Sequence, residues 1–357
     1  MKLSNLTRKN ILIFICFLCF FVLAVFIGWW MRGNYIPKDN APLIEKVIPK
    51  PLEVYSIENL SKTAYPAGKL EFKNTSDQET TPAIQNDPLY KSEVFNFKFL
   101  PNPGTKEEKS TSVLINTPTD PAAPNKKYPL VFMIRGYVDP AIYSPGVGTK
   151  RAAQVFVKNG YLTVAPDFLG YADSDINSSN IFESRFQTYT TVLALLNSLD
   201  QLESWDKTNI FIWAHSNGGQ IALTALQITG RDIPTTLWAP VSKPFPYNIL
   251  YYTDESDDKG KLIRRELANF EDVYNTDKFS LDLYFDKIKA PIQLHQGTND
   301  DAVPLEWSNS LSKTLKSKEV DINYYVYPGA DHNLQPGWDI VIQRDLEFFK
   351  KNLQFAI

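Results

Sequence analysis

Between residues 130 and 327 the chain repeats one pattern: a short apolar run, a turn, then a stretch with helical spacing. The runs occupy residues 130–134, 162–166, 210–214, 236–239, 292–295 and 322–327. Helical spacing appears at about 150–159, 186–201, 218–228, 306–315 and 338–353. Strands that are apolar throughout are buried on both faces, and alternation with helices makes them parallel. Right-handed crossovers then place helices on both sides of the sheet. The expected fold class is α/β, a doubly wound and mostly parallel sheet. Ahead of it, residues 93–100 and 110–116 alternate apolar and polar around the turn sequence PNPGTKEEK, which predicts a β-hairpin extension.

The first thirty-odd residues follow a different rule. Ile11 to Met31 contains no charge and ends near Trp29 and Trp30. A helix of that length reaches roughly 30 Å, enough to cross a bilayer, and interfacial tryptophans suit its end. Both cysteines, Cys16 and Cys19, lie inside this span and read as small hydrophobes. Lys2, Arg8 and Lys9 precede it without an acid; Arg32, Lys38, Lys46 and Lys50 follow, diluted by Asp39 and Glu45. The bias favours a cytoplasmic tail, hence a single-pass protein of the cell membrane with its large part outside the cytoplasm.

These signals divide the chain into a tail and anchor at 1–33, a proline- and lysine-rich stalk at 34–51, a β-rich extension at 52–128 and a catalytic domain at 129–357. Residues 242–289 interrupt the strand–helix rhythm and read as an inserted lid. A net charge of −3 gives no footprint for nucleic acid. No metal and no cofactor is expected. The acidic stretch DESDDKGK lacks the glycine and bidentate glutamate of a calcium loop, with Lys259 and Arg265 at those positions.

Three loops carry chemistry. In Ala214-His215-Ser216-Asn217-Gly218 a buried run turns abruptly into a helix. Such a corner projects its central side chain above the sheet edge, provided the residues two before and two after are small. Ala214 and Gly218 meet that demand. The helix that follows aims its first amides at the same point. A serine nucleophile needs a base and an orienting acid. The chain has three histidines. His215 adjoins Ser216 at a sharp turn, where side chains diverge, and His295 ends a strand. His332 lies in a polar loop after the last strand and is the best base. Asp300 or Asp301, in the loop after the preceding strand, is the acid. The order serine, acid, histidine suits a doubly wound sheet, which builds its sites on loops at strand carboxyl ends.

The segments RGY at Arg135, APDFLGYADSD at Ala165, AHSNGG at Ala214, QGTNDDAVP at Gln296 and YPGADHN at Tyr327 resemble those of the α/β-hydrolases. The resemblance is closest to the prolyl oligopeptidase-like serine peptidases and covers residues 130–353. It implies Ser216 as nucleophile, His332 as base and Asp300, rather than Asp301, as acid. It further implies an oxyanion hole from the backbone amides of Asn217 and Tyr137. The family usually has His-Gly where this chain has Arg135-Gly136. Residues 52–128 are too few for the propeller that precedes the larger members. The expected activity is therefore a membrane-anchored, propeller-free peptidase acting on peptides. A carboxylesterase taking small or aromatic esters is the alternative. A catalytically inactive binding protein of the same fold is disfavoured, since no triad position is missing.

Overall fold

The computed structural model describes residues 5–34, 49–73 and 87–354, in two compact units divided after Pro49. The first contains helix α1 (Asn5–Asn34), whose window Ile13–Arg32 has a mean hydropathy of 2.7. That helix is long and apolar enough to cross a membrane; a signal sequence near an N-terminus passes the same test. Most of the expected stalk, 35–48, lies outside the described residues.

The second unit is built on one nine-stranded sheet. Its strands are β1 (Lys69–Phe72), β2 (Tyr90–Phe99), β3 (Lys109–Pro118), β4 (Tyr128–Ile134), β5 (Leu162–Pro166), β6 (Trp205–His215), β7 (Thr235–Trp238), β8 (Ile292–Gly297) and β9 (Ile322–Tyr327). They stand in the order β1-β2-β3-β5-β4-β6-β7-β8-β9. The three pairings from β1 through β3 to β5 are antiparallel and the remainder parallel. The β2–β3 hairpin thus continues the same sheet, and Leu52, Tyr55, Ile57, Leu60, Phe97, Phe99, Val113 and Ile115 share its core.

Burial follows position. Leu130 through Ile134 in central β4 are all fully buried. Edge strand β1 is exposed at both ends and only half-buried between them. Helices α3 (Lys150–Lys158) and α9 (Trp338–Lys351) pack on one face, against Val131, Met133, Phe211 and Trp213. On the other face α4 (Ile181–Leu196), α5 (Asn217–Thr229) and α8 (Leu305–Ser317) join one core with Leu130, Phe132, Ile134, Ile212 and Ala214, α8 lying over β8 and β9. Each large apolar side chain so buried stabilises the fold by roughly 1.5–3 kcal/mol.

Helix α4 has almost no exposed face because the 242–289 insertion covers its outer side. Phe182 and Phe186 of α4 meet Phe245, Phe270 and Phe279 of the insertion at ring-centroid distances of 5.0 to 6.3 Å. The insertion folds into α6 (Tyr247–Leu250), α7 (Lys261–Glu271) and short 3-10 turns. Residues 51–62 complete this side as a 3-10 turn and helix α2 (Ile57–Lys62), burying Leu52, Tyr55, Ile57 and Leu60.

One polar knot ties the opposite face. Asp345 of α9 is fully buried and accepts hydrogen bonds from Thr236, Trp238 and Gln293 at 2.5 to 2.9 Å. The His295 ring nitrogen Nε2 lies 3.0 Å from the same carboxylate, and its Nδ1 meets the Tyr327 hydroxyl at 2.8 Å. Deleting this acceptor strands several buried groups at once. We expect Asp345→Ala to lower the unfolding free energy by about 3 kcal/mol or more, as read from urea denaturation of the full chain.

Candidate active site

Consecutive strands β4 and β5 lead off to one side of β4, whereas β6 lies on the other. The crossover helix after β4 covers one face and that after β6 the opposite face. Adjacent strands β4 and β6 therefore flank a topological switch point, where loops part and a crevice opens at their carboxyl ends. Ser216 follows β6 there, and Arg135-Gly136-Tyr137 follows β4.

Ser216 has φ 56° and ψ −123°, a backbone region unfavourable for a residue with a side chain. Its amide donates to Trp238 O at 2.9 Å, and its carbonyl accepts from Val241 N at 3.0 Å. Gly218 allows the turn: a Cβ there would lie 2.2 Å from Ile134 O and 2.6 Å from Arg135 O. Ala214 is fully buried between β4 and β7, so its methyl is accommodated where glycine is commoner.

The loops after β8 and β9 bring His332 and Asp300 together. His332 Nδ1 lies 3.0 Å from each oxygen of Asp300. Asp300 Oδ1 also accepts from the amides of Ala302 and Val303, and Oδ2 from Gln296 Nε2 at 2.8 Å. Burial works to raise this carboxyl, but the His332 bond and the Val303 amide outweigh it and hold it below the usual carboxylate range. Asp301 is exposed. The two loops are laced by Thr298 N to Tyr327 O at 3.1 Å and Asn299 N to Ala330 O at 2.9 Å. Only a glycine fits at 297, where a Cβ would lie 2.2 Å from Ala330 O.

The other histidines do different work. His295 is part of the Asp345 knot, with no exposed surface. His215 Nε2 lies 3.0 Å from the His332 carbonyl oxygen, with the two rings 4.6 Å apart. Burial, then the charge of His332, pushes its imidazole down to about 4. A neutral His215 donates to that carbonyl and steadies the His332 loop. Ser216 Oγ has no hydrogen-bond partner among the described residues. Such contacts commonly tighten only when substrate binds.

The loop after β4 lies against the serine, since a Cβ on Gly136 would come within 2.8 Å of Ser216 Cβ. Arg135 is buried and stacked among Tyr171, Tyr143 and Phe168, with ring centroids 4.0, 4.4 and 5.1 Å from its guanidinium carbon. Its Nη1 donates to Gly136 O at 3.0 Å. In a trans peptide the carbonyl and the following N–H point in opposite directions. Anchoring the Gly136 oxygen therefore fixes the Tyr137 amide facing away from Arg135. A cleft of about 320 Å³ opens beside Tyr137 and Asn217. Sequence reading noted Arg135 but missed Arg185, which lines the same cleft from α4.

The profile of the prolyl oligopeptidase family, Peptidase_S9, matches residues 148–356. The chain belongs to the prolyl oligopeptidase family. It is a serine hydrolase of the α/β-hydrolase fold. It is 25% identical over 237 residues to the uncharacterized peptidase YtmA of Bacillus subtilis (strain 168), covering 65% of this chain and 86% of that one. Among solved structures, an acetyl xylan esterase from Paenibacillus sp. R4 superposes with a TM-score of 0.56 at 15% identity, over 84% of this chain and 95% of that one. A putative dipeptidyl aminopeptidase IV from Bacteroides ovatus gives 0.53 at 16% identity, over 73% of this chain. The present chain spans 36% of that larger protein. Such distant structural likenesses bear on the fold alone.

The His215 shift has a measurable consequence. Between pH 6.5 and about 4 the unfolded chain protonates this residue while the folded chain does not. Stability supplied by neutral His215 is thus complete above pH 6.5 and lost as pH falls through about 4. Urea unfolding across that window should show His215→Asn gaining on wild type, by on the order of 1–3 kcal/mol, as pH falls.

Proposed function

We propose that this prolyl oligopeptidase family member is a membrane-anchored serine hydrolase in which Ser216, Asp300 and His332 form the catalytic triad. The observation that carries the reading is the His332–Asp300 pair, 3.0 Å at both oxygens, on a loop bonded through the His332 carbonyl to His215, which precedes Ser216 at the strained strand-to-helix corner. Ser216 Oγ attacks a carbonyl carbon while His332 Nε2 takes its proton. Asp300 keeps the proton on Nδ1 and stabilises the imidazolium. The amides of Asn217, at the start of α5, and of Tyr137 receive the oxyanion. Collapse of the tetrahedral intermediate expels the leaving group, which takes its proton from His332. Water then repeats the sequence on the acyl-enzyme and frees Ser216.

The preferred substrate class is a peptide. Carboxylesterase activity is the second reading, favoured by the modest 320 Å³ cleft, which suits a small acyl or aromatic group. Insertion aromatics Phe245, Phe270 and Phe279 are buried against α4 and serve as lid core. Tyr252 instead reaches the acid loop, donating to Ala302 O at 3.0 Å.

Helix α1 serves as a retained anchor, with residues 1–33 as tail and span, 34–51 as stalk and the catalytic unit outside the cytoplasm. Protease added to intact cells should release the catalytic unit by cutting between residues 34 and 51. Release only after permeabilisation would reverse the orientation.

A panel of p-nitrophenyl esters and peptidyl anilides tests the chemistry. Ser216→Ala and His332→Ala should each lower kcat by about 10⁴-fold or more, and Asp300→Asn by a similar factor. Arg135→Met should lower kcat by about 10-fold or more with little change in KM, because it frees the Tyr137 peptide. Full activity in Ser216→Ala would exclude the assignment.

A further inference from the structure

The cleft beside Ser216 holds a guanidinium with no anion to answer it. Arg185 Nη2 donates to Asn217 Oδ1 at 3.3 Å and to Gln220 Oε1. Its Nε is buried without a partner. Among the described residues the ion-paired arginines are Arg151, Arg264 and Arg265, not Arg185. No acidic side chain lines this cleft. Its other cation, Arg135, is 3% exposed and has Nε and Nη2 without partners. The buried carboxyl beneath, Asp167, accepts from the Tyr143 hydroxyl; burial pushes it up to about 7 while Arg135 pulls it down, so it offsets part of the Arg135 charge and none of its hydrogen bonds goes to Arg185.

A half-buried arginine with no ion partner and a buried, partnerless Nε, sharing its cleft with a second, buried guanidinium, leaves a net positive site that an anion would satisfy. Asn217 and Gln220 hold one edge of the Arg185 fork still. A planar carboxylate is the group that a fixed guanidinium fork matches best. Asn217 also supplies the proposed oxyanion amide, so an anion held by Arg185 would lie close to the reacting carbonyl.

We propose that Arg185 anchors a carboxylate of the substrate, making the preferred substrates esters or amides that carry a free acid near the scissile bond. An acidic side chain, a peptide C-terminus or a dicarboxylic half-ester would present the same group. The inference rests on Ser216 as the nucleophile. A purely structural Arg185, bridging α4 to α5, is the competing account.

Full-length protein in detergent, assayed with two matched substrate pairs, separates these accounts. One pair sets mono-4-nitrophenyl succinate against the 4-nitrophenyl ester of succinamic acid, placing the acid on the acyl side. The other sets 4-acetoxybenzoate against its methyl ester, placing it on the leaving group. Wild type should favour the acid in at least one pair by about 10-fold in kcat/KM, less so at high salt. Arg185→Gln should bring that ratio to within about 2-fold of unity, with Arg185→Lys between the two. Should Arg185→Gln fail to fold, the wild-type ratios and competitive inhibition by succinate but not succinamide carry the test. Ratios near unity in both wild-type pairs, or a ratio unchanged in folded Arg185→Gln, would overturn the inference and leave the nucleophile assignment standing. No turnover of any of the four esters would remove both.

Discussion

The structure depends on the backbone corner at Ser216. A residue with a side chain at φ 56° is strained by roughly 1–3 kcal/mol, and only its surroundings keep it there. Hydrogen bonds to Trp238 and Val241 pin both its peptide groups, and Gly218 lets the first turn of α5 lie against the end of β4. The corner sits at the switch point, where α3 and α5 leave on opposite faces, so the side chain projects into a crevice the sheet already provides.

The same logic of close approach brings Asp300 to His332. Loops after β8 and β9 are fastened by backbone hydrogen bonds across Gly297, so His332 and Asp300 arrive as one body. Asp300 spends its capacity on two amides, Gln296 and the imidazole, which keeps it ionised although its side chain has no exposed surface. His215, the neighbour of Ser216 in sequence, ends up bonded to the backbone of His332. Placement of each histidine follows from what surrounds it rather than from its distance along the chain.

Much of this was legible in the sequence, and the exceptions have physical reasons. Central strands announce themselves because burial on both faces demands continuous apolar runs. Strand β1 does not, being short, at an edge and half-exposed. Helix α4 starts at Ile181, five residues before its apolar spacing begins. The signal was there: Asn180 caps it, accepting from the amides of Phe182 and Glu183, but it is hidden in a run of polar turn residues. Missing that first turn meant missing Arg185. Residues 51–62 were unreadable for another reason: their partners, such as Tyr274, which bonds Leu52 N at 3.0 Å, lie over two hundred positions away. Of the proposed site, Ser216 and His332 were named from their loops, whereas those loops left Asp300 and Asp301 open and only the family resemblance chose Asp300, the one that bonds His332. The aromatic stack around Arg135 needed coordinates, because Tyr143, Phe168 and Tyr171 come from loops after two different strands.

The central claim is that Ser216 is a nucleophile activated by His332. The most direct measurement is covalent: treat the folded full-length chain with a fluorophosphonate and locate the adduct by peptide mass spectrometry. The account predicts a single adduct on Ser216, fast in wild type and abolished in His332→Ala. An adduct on another serine, or labelling of Ser216 that is unchanged in His332→Ala, would contradict it.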